Sequence, residues 1–503
     1  MSKSTTARRT LACALLGALT LLSLPALAAA SPGQLSLIQD DSELFSDRGG
    51  DPVTAIDEIR DLGVDVLRTN VLFYRIYQGP ETRRKPAGFD PSDPNDPLYS
   101  WAITDRVVEL ASSRGLDLML TVSGPGPRWT SQKPGTCKPD EICTTRPNPR
   151  WFGDFAAAVA KRYKGKADYY SLYNEPNLHT WITPQTKRTR AGVVSVAGIY
   201  YRKLWQAGYR SIARYDKARR GRVLFGEVAA IGNPLTLLGA ALCLDYTGKP
   251  LRGALARKHQ CRRRGPRLKI GGYAVHPYNS FAIGTPRTKV PRSSKASLTQ
   301  AYMPRLHRFM RNAQRAGRTP RNRGIYITEF GYQSRPPERL SNVSLRQQAQ
   351  YVNESDRLFF GDRRIKSVAQ YLIQDIPEVD QFNTGLRFSP SRGGREKPAY
   401  DAYRLPIVVT RRSARRVEVY GQVRPSTLPG VPARVTIQMR RGGGGWRNVG
   451  NATGNARGIF RRNLSRPGAA RAKWRLVWQS PISGTLETSR VAKAGKPLRY
   501  YRN

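Results

Sequence analysis

One alternation constrains the fold of this chain more than anything else in it. From residue 35 to about residue 405, eight short apolar runs recur, separated by segments of helical periodicity. The runs are Leu35–Ile38, Val64–Leu72, Leu116–Val122, Tyr169–Tyr173, Val223–Val228, Ile270–Val275, Ile325–Thr328 and Val368–Ile373. Each has the length and composition of a buried strand. Between them, apolar residues return at helical spacing. Ile103, Val107, Leu110 and Ala111 share one face, as do Phe152, Phe155, Val159 and Tyr163. Tyr302, Leu306, Phe309 and Met310 repeat the pattern before the seventh run, and Leu345, Ala349, Val352 and Phe359 before the eighth. Eight strand–helix units predict an α/β fold of the closed parallel kind, a (β/α)8 TIM barrel. An open doubly wound sheet is the alternative, but no glycine-rich phosphate loop follows the first strand.

The ends of the chain have other textures. Lys3, Arg8 and Arg9 precede an apolar stretch from Leu11 to Leu24, and Ala26-Leu27-Ala28 or Ala28-Ala29-Ala30 offers a cleavage site. Residues 1–30 therefore read as a secretory signal peptide, and the expected location is extracellular. Cys13 stands at the start of the apolar stretch instead of ending it, which argues against lipidation. Four cysteines remain, Cys137, Cys143, Cys243 and Cys261. An even number in an exported chain favours disulfides, and local pairing is the simplest of three connectivities. Zinc is disfavoured because the spacings are wrong and no histidine pair is near. The two cysteine pairs sit in insertions at 125–149 and 231–266, after the third and fifth strands.

Past Pro406 the periodicity changes. Val417/Val419, Val435/Ile437/Met439 and Trp474/Leu476/Trp478 alternate with polar residues, and glycines Gly442 to Gly445 mark a turn. This predicts a small β-sandwich over 406–503, after a barrel domain over 31–405. Only Glu418 and Glu487 are acidic in that segment, and the whole chain carries 85 Lys and Arg against 36 Asp and Glu. A charge of +49 attracts anionic polymers without specificity. An export signal and the lack of a recognition motif argue against a specific nucleic-acid partner. An anionic cell-envelope polymer and a solvated basic surface are the two other readings. No stretch after residue 30 is long and apolar enough to span a membrane.

Two glutamates end two of the apolar runs. Glu175 stands in Tyr173-Asn174-Glu175-Pro176 after the fourth, and Glu329 in Thr328-Glu329-Phe330-Gly331 after the seventh. Both strand ends open on the same mouth of a barrel. Two convergent carboxyl groups are the equipment for cleaving a glycosidic bond.

Asn-Glu-Pro at the fourth strand and Thr-Glu-Phe-Gly at the seventh resemble the acid/base and nucleophile motifs of the clan A glycoside hydrolases. The nearest in tone are cellulase-like family 5 and family 39, and the resemblance covers roughly residues 35 to 405. It implies a secreted retaining glycosidase with no cofactor and no metal. Glu329 would attack the anomeric carbon, and Glu175 would donate a proton to the leaving oxygen. Asn174 would bond a sugar 2-hydroxyl, and Arg68 in Leu67-Arg68-Thr69 would keep the nucleophile charged. Tyr278, in His276-Pro277-Tyr278, is expected to bond Glu329. His276 is expected either to touch substrate or to be a satisfied structural histidine. Trp129 and Trp181 would face sugar rings or pack loops. Glu227, a third carboxylate at the rim, is expected to pair with an arginine on the surface. The chain departs from the clan at the eighth strand, where Gln374 or Asp375 would contact sugar in place of a tryptophan, and at the third, which ends in Ser123-Gly124-Pro125. A non-catalytic carbohydrate-binding barrel and a transglycosylase are the competing readings.

Overall fold

The computed structural model describes residues 31–138, 141–279, 286, 294–379 and 382–501. The expected signal peptide lies outside the described residues. Eight parallel strands close into a barrel in chain order. They are β1 (Leu35–Gln39), β2 (Val66–Leu72), β3 (Asp117–Ser123), β4 (Tyr169–Leu172), β5 (Val223–Ala229), β6 (Gly272–His276), β7 (Gly324–Ile327) and β8 (Ile365–Tyr371). Each predicted run supplies one strand, and β1 pairs with both β2 and β8 to complete the ring. The interleaved helices are α1 (Pro52–Asp61), α2 (Ala102–Ser113), α3 (Pro149–Arg162), α4 (Val196–Tyr215), α5 (Pro234–Leu242), α6 (Met303–Arg315), α7 (Leu345–Phe360) and α8 (Pro398–Arg404).

Strand geometry divides the barrel residues into two sets, because successive side chains point to opposite faces. Ile38, Leu67, Leu118, Leu120, Phe225, Tyr273, Val275 and Ile325 join the large core between strands and helices. Leu37, Val66, Met119, Leu224, Ala274 and Ala369 form a separate buried cluster, which is the floor of the barrel lumen. Two residues further along β2 and β6, on the same face, come Arg68 and His276. The lumen thus turns from apolar to charged in one step towards the strands' C-terminal ends.

Beyond α8 the chain forms two antiparallel sheets. One orders β9 (Ile407–Arg411), β10 (Arg416–Gln422) and β13 (Ile459–Ser465); the other contains β11 (Arg434–Arg440), β12 (Arg447–Thr453), β14 (Lys473–Gln479) and β15 (Leu486–Thr488). The predicted alternating residues Val417, Val419, Val435, Ile437, Met439, Trp474, Leu476 and Trp478 all point into one shared core. Cys137 pairs with Cys143, and Cys243 with Cys261, so both disulfides are local.

Candidate active site

At the C-terminal mouth of the barrel, five charged side chains from five strands meet. Arg68, fully buried, donates from one guanidinium nitrogen to Glu329 Oε1 at 2.8 Å. Its other terminal nitrogen donates to Asn174 Oδ1 and to Glu227 Oε2, each at 3.0 Å. The His276 ring reaches Glu175 Oε1 at 2.9 Å from Nδ1 and Glu227 Oε2 at 2.7 Å from Nε2. Its Nδ1 also lies 3.4 Å from Glu329 Oε2. Tyr278 donates its hydroxyl to Glu329 Oε2 at 3.2 Å, and Thr328 donates to Glu227 Oε2 at 2.9 Å. A carboxylate oxygen of Glu175, one of Glu329 and a ring nitrogen of His276 all lie within 4.8 Å of one another.

Local backbone explains how these groups converge. Glu175 and Tyr173 follow β4 with φ of 36° and 70°, in the left-handed region that non-glycine residues seldom occupy. The Glu175 amide is held by the Glu227 carbonyl at 2.8 Å, and the Asn174 amide by Ser123 Oγ at 3.0 Å. Glu227 itself sits on a bulge. In the β5–β6 register Gly226 faces Ala274 and Val228 faces Val275, leaving Glu227 as an extra residue with φ of 46°. A bulge re-aims a side chain, and here it turns Glu227 into the lumen. Gly226 permits it: at φ +129° a Cβ there would stand 2.4 Å from the Ala274 carbonyl oxygen.

The electrostatics follow from this closeness. Burial opposes charge on Glu227, but Arg68 and then His276 outweigh it and hold the carboxyl at about 2. Burial likewise opposes a charged His276, but Glu329, Glu175 and Glu227 hold the imidazole up at about 10. Arg68 is held above the usual guanidinium range by Glu227 and Glu329 despite its burial. The centre therefore contains two cations among three carboxyl groups.

Several expectations change. Arg68, expected beside the nucleophile, and His276, expected either at the substrate or as a satisfied histidine, are fully buried and bond the glutamates, so they orient the carboxylates. Glu227 does pair with an arginine, but in the interior. Trp129 is buried among Phe73, Tyr77, Phe89 and Trp151, which makes it part of a loop core and no sugar platform. Gln374 donates its amide to Glu43 at 2.8 Å, and Asp375 pairs with buried Lys397 at 2.6 Å, so both brace the loop after β8.

Asn174, Tyr278 and Trp181 do line the cleft with the two glutamates. Sequence reasoning missed Asp41, Asn70, Tyr371 and Phe382, which complete it. A signal existed for Asp41, a carboxylate two residues past β1. It is held by Thr69 Oγ1 at 2.9 Å and Asn70 Nδ2 at 2.7 Å. Phe382 carried none, since it comes from the loop beyond β8 and meets Tyr278 ring to ring at 5.7 Å.

No protein-family model matches this chain. No curated protein matches it either. Among solved structures it is similar to a glucosidase from Croceicoccus marinus, at 10% identity and a TM-score of 0.49, over 87% of this chain and 81% of that one. A β-glucosidase from Pyrococcus furiosus is similar over 72% of this chain and 86% of its own, at 15% identity and a TM-score of 0.41. The virulence factor SghA in complex with its substrate analog salicin matches 75% of this chain and 96% of its own, at 14% identity and a TM-score of 0.44.

Proposed function

We propose that this protein is an exported retaining glycoside hydrolase. One observation carries the reading: in a closed (β/α)8 barrel, carboxylates after β4 and β7 approach within 4.8 Å, and the second is gripped by Arg68 and Tyr278. That closeness suits a retaining mechanism, which needs carboxyl groups about 5–5.5 Å apart, better than an inverting one, which sets them about 6.5–9.5 Å apart.

The roles follow from the contacts. Glu329, with an arginine on one oxygen and a tyrosine hydroxyl on the other, is prepared as an anion to attack the anomeric carbon. Arg68 and an imidazolium at His276 balance Glu227 and Glu329. Among the described residues the third carboxyl group, Glu175, pairs with no arginine; His276 holds its Oε1, and in this reading it carries the proton to the leaving oxygen. Glycosylation consumes the charge on Glu329, and Glu175 then takes a proton from the water that releases the sugar. Asn174, fixed by Arg68, presents its amide nitrogen to the cleft for a sugar hydroxyl.

Export accords with the basic, apolar N-terminus and with two local disulfides, which persist in oxidising compartments. Binding of the basic C-terminal domain to an anionic envelope polymer belongs to the same reading. Its two acidic residues are buried or nearly so and paired with arginines, so its exposed charge is of one sign. The test is a panel of glycosides with Glu329→Gln as control, read together with the anomeric configuration of the first product. Turnover with retention that the substitution lowers by orders of magnitude is expected. Normal turnover by Glu329→Gln, or an inverted product, would sink the proposal.

A further inference from the structure

Two pockets meet at Glu175, and they differ in chemistry. The first, about 310 Å³, contains both glutamates and is edged by Asp41, Asn70, Asn174 and Tyr371. It is furnished with hydrogen-bonding groups, as a sugar ring requires. The second, about 440 Å³, shares Glu175, Tyr278 and Phe382 with the first but lacks Glu329. Its remaining walls include Leu178, Ala229, Ala230, Ile231 and Leu340.

Three of the large hydrophobic side chains that this protein exposes gather at that second pocket: Leu340 at 82% exposed, Phe382 at 54% and Ile231 at 46%. Clustered apolar exposure marks a binding surface, whereas scattered single residues do not. Two of the polar side chains in the pocket are engaged elsewhere. Gln333 donates to the Ser341 carbonyl at 2.8 Å, and the buried Glu338 accepts the Asn383 amide at 3.0 Å. A sugar ring placed against the apolar side of this pocket would lose hydration, which costs free energy for each unmet hydroxyl.

Position supplies the rest of the argument. In the proposed mechanism the acid, not the nucleophile, stands beside the departing group. The pocket that holds Glu175 without Glu329 is therefore the leaving-group side. Resting on that reading, we propose that the second pocket accepts an apolar aglycone, so the substrate is a glycoside of an alkyl or aryl alcohol and not an internal sugar of a polysaccharide. The bond broken joins the anomeric carbon to the aglycone oxygen. That oxygen takes the proton of Glu175 and departs as the free alcohol, and water later supplies the hydroxyl on the sugar.

The test separates this proposal from the one beneath it. Wild type is first assayed on glycosyl fluorides, which carry no aglycone and need only the first pocket and the two glutamates. Methyl, hexyl and octyl glycosides of the accepted sugar follow, below their micellar concentrations, with the corresponding disaccharide. Their leaving groups are all simple alkoxides, so a trend with chain length reports binding. In wild type kcat/KM is expected to rise at least about tenfold from methyl to octyl, a fraction of what burying the whole chain is worth. The octyl glycoside is also expected to exceed the disaccharide. The double variant Ile231→Ser, Leu340→Ser is expected to lose most of that rise while hydrolysing the fluoride as wild type does. A flat series, a preference for the disaccharide, or an undiminished rise in the variant overturns the aglycone assignment and leaves the glycosidase reading standing. Failure to turn over any fluoride removes the glycosidase reading and this proposal together.

Discussion

Glu227 is the residue on which the centre of this protein is arranged. Its carbonyl holds the Glu175 amide, and its side chain joins Arg68, His276 and Thr328 in one buried network. Its charge has a thermodynamic consequence with a definite sign. Glu227 is held at about 2 instead of 4.5, so its contribution to stability is whole above pH 4.5 and is lost as pH falls towards 2. His276 is held at about 10 instead of 6.5, so its contribution is whole below pH 6.5 and is lost as pH rises towards 10. Both are whole only between pH 4.5 and 6.5. Glu227→Gln is expected to cost about 3–5 kcal/mol there, because it removes the carboxylate that two buried cations share. Thermal melts of wild type and variant across pH should show the gap in Tm widest in that interval and shrinking on both sides. A gap that does not vary with pH would contradict the network.

At the scale of elements, the strands and helices were legible from periodicity, while the loops that finish the site were not. Each apolar run became one strand, since burial on both faces leaves a continuous signature. The eighth strand starts earlier than its apolar residues suggest, because Lys366, Ser367 and Gln370 interrupt the pattern. The α7 helix shows how local chemistry sets a boundary. Ser344 and Gln347 form a reciprocal capping box, with the Ser344 hydroxyl accepting from the Gln347 amide and the Gln347 side chain accepting from the Ser344 amide. Ser344→Ala is expected to lower stability by about 1 kcal/mol. Urea unfolding would read this as a shifted midpoint with an unchanged slope, and a neutral result would show that tertiary packing alone anchors the helix start.

Across the whole molecule, the C-terminal sheets are built into the barrel. Arg424, almost fully buried, donates to Asp356 of α7 at 2.6 Å and to the Tyr403 carbonyl at 2.6 Å, and its guanidinium lies 3.9 Å over the Tyr403 ring. Arg357 of α7 pairs with Glu418 of β10 at 2.7 Å, and Phe360 packs with Val408, Tyr420 and Ile459. Arg424→Ala is expected to destabilise the whole chain by about 3–5 kcal/mol, since Asp356 would remain buried without its cation. Calorimetry should show one transition moved to lower temperature. Separate melting of the C-terminal domain with an unmoved barrel would refute the coupling.

The sequence by itself determined the barrel, the two antiparallel sheets that follow it and the pair of strand-end glutamates. All of these are written as local periodicity or as short motifs at strand ends, and local patterns survive without knowledge of neighbours. Tertiary structure alone decided which residues line the cleft. Strand alternation from Leu224 would send Glu227 outward to the helices, and only the bulge against β6 returns it to the lumen. Arg68 and His276 were visible as strand-end residues, but their partners come from other strands, so their complete burial could not be read from spacing. The apolar pocket beside Glu175 is assembled from loops after β4, β5, β6, β7 and β8. Such a surface has no periodicity, because it is put together from short pieces far apart in the chain.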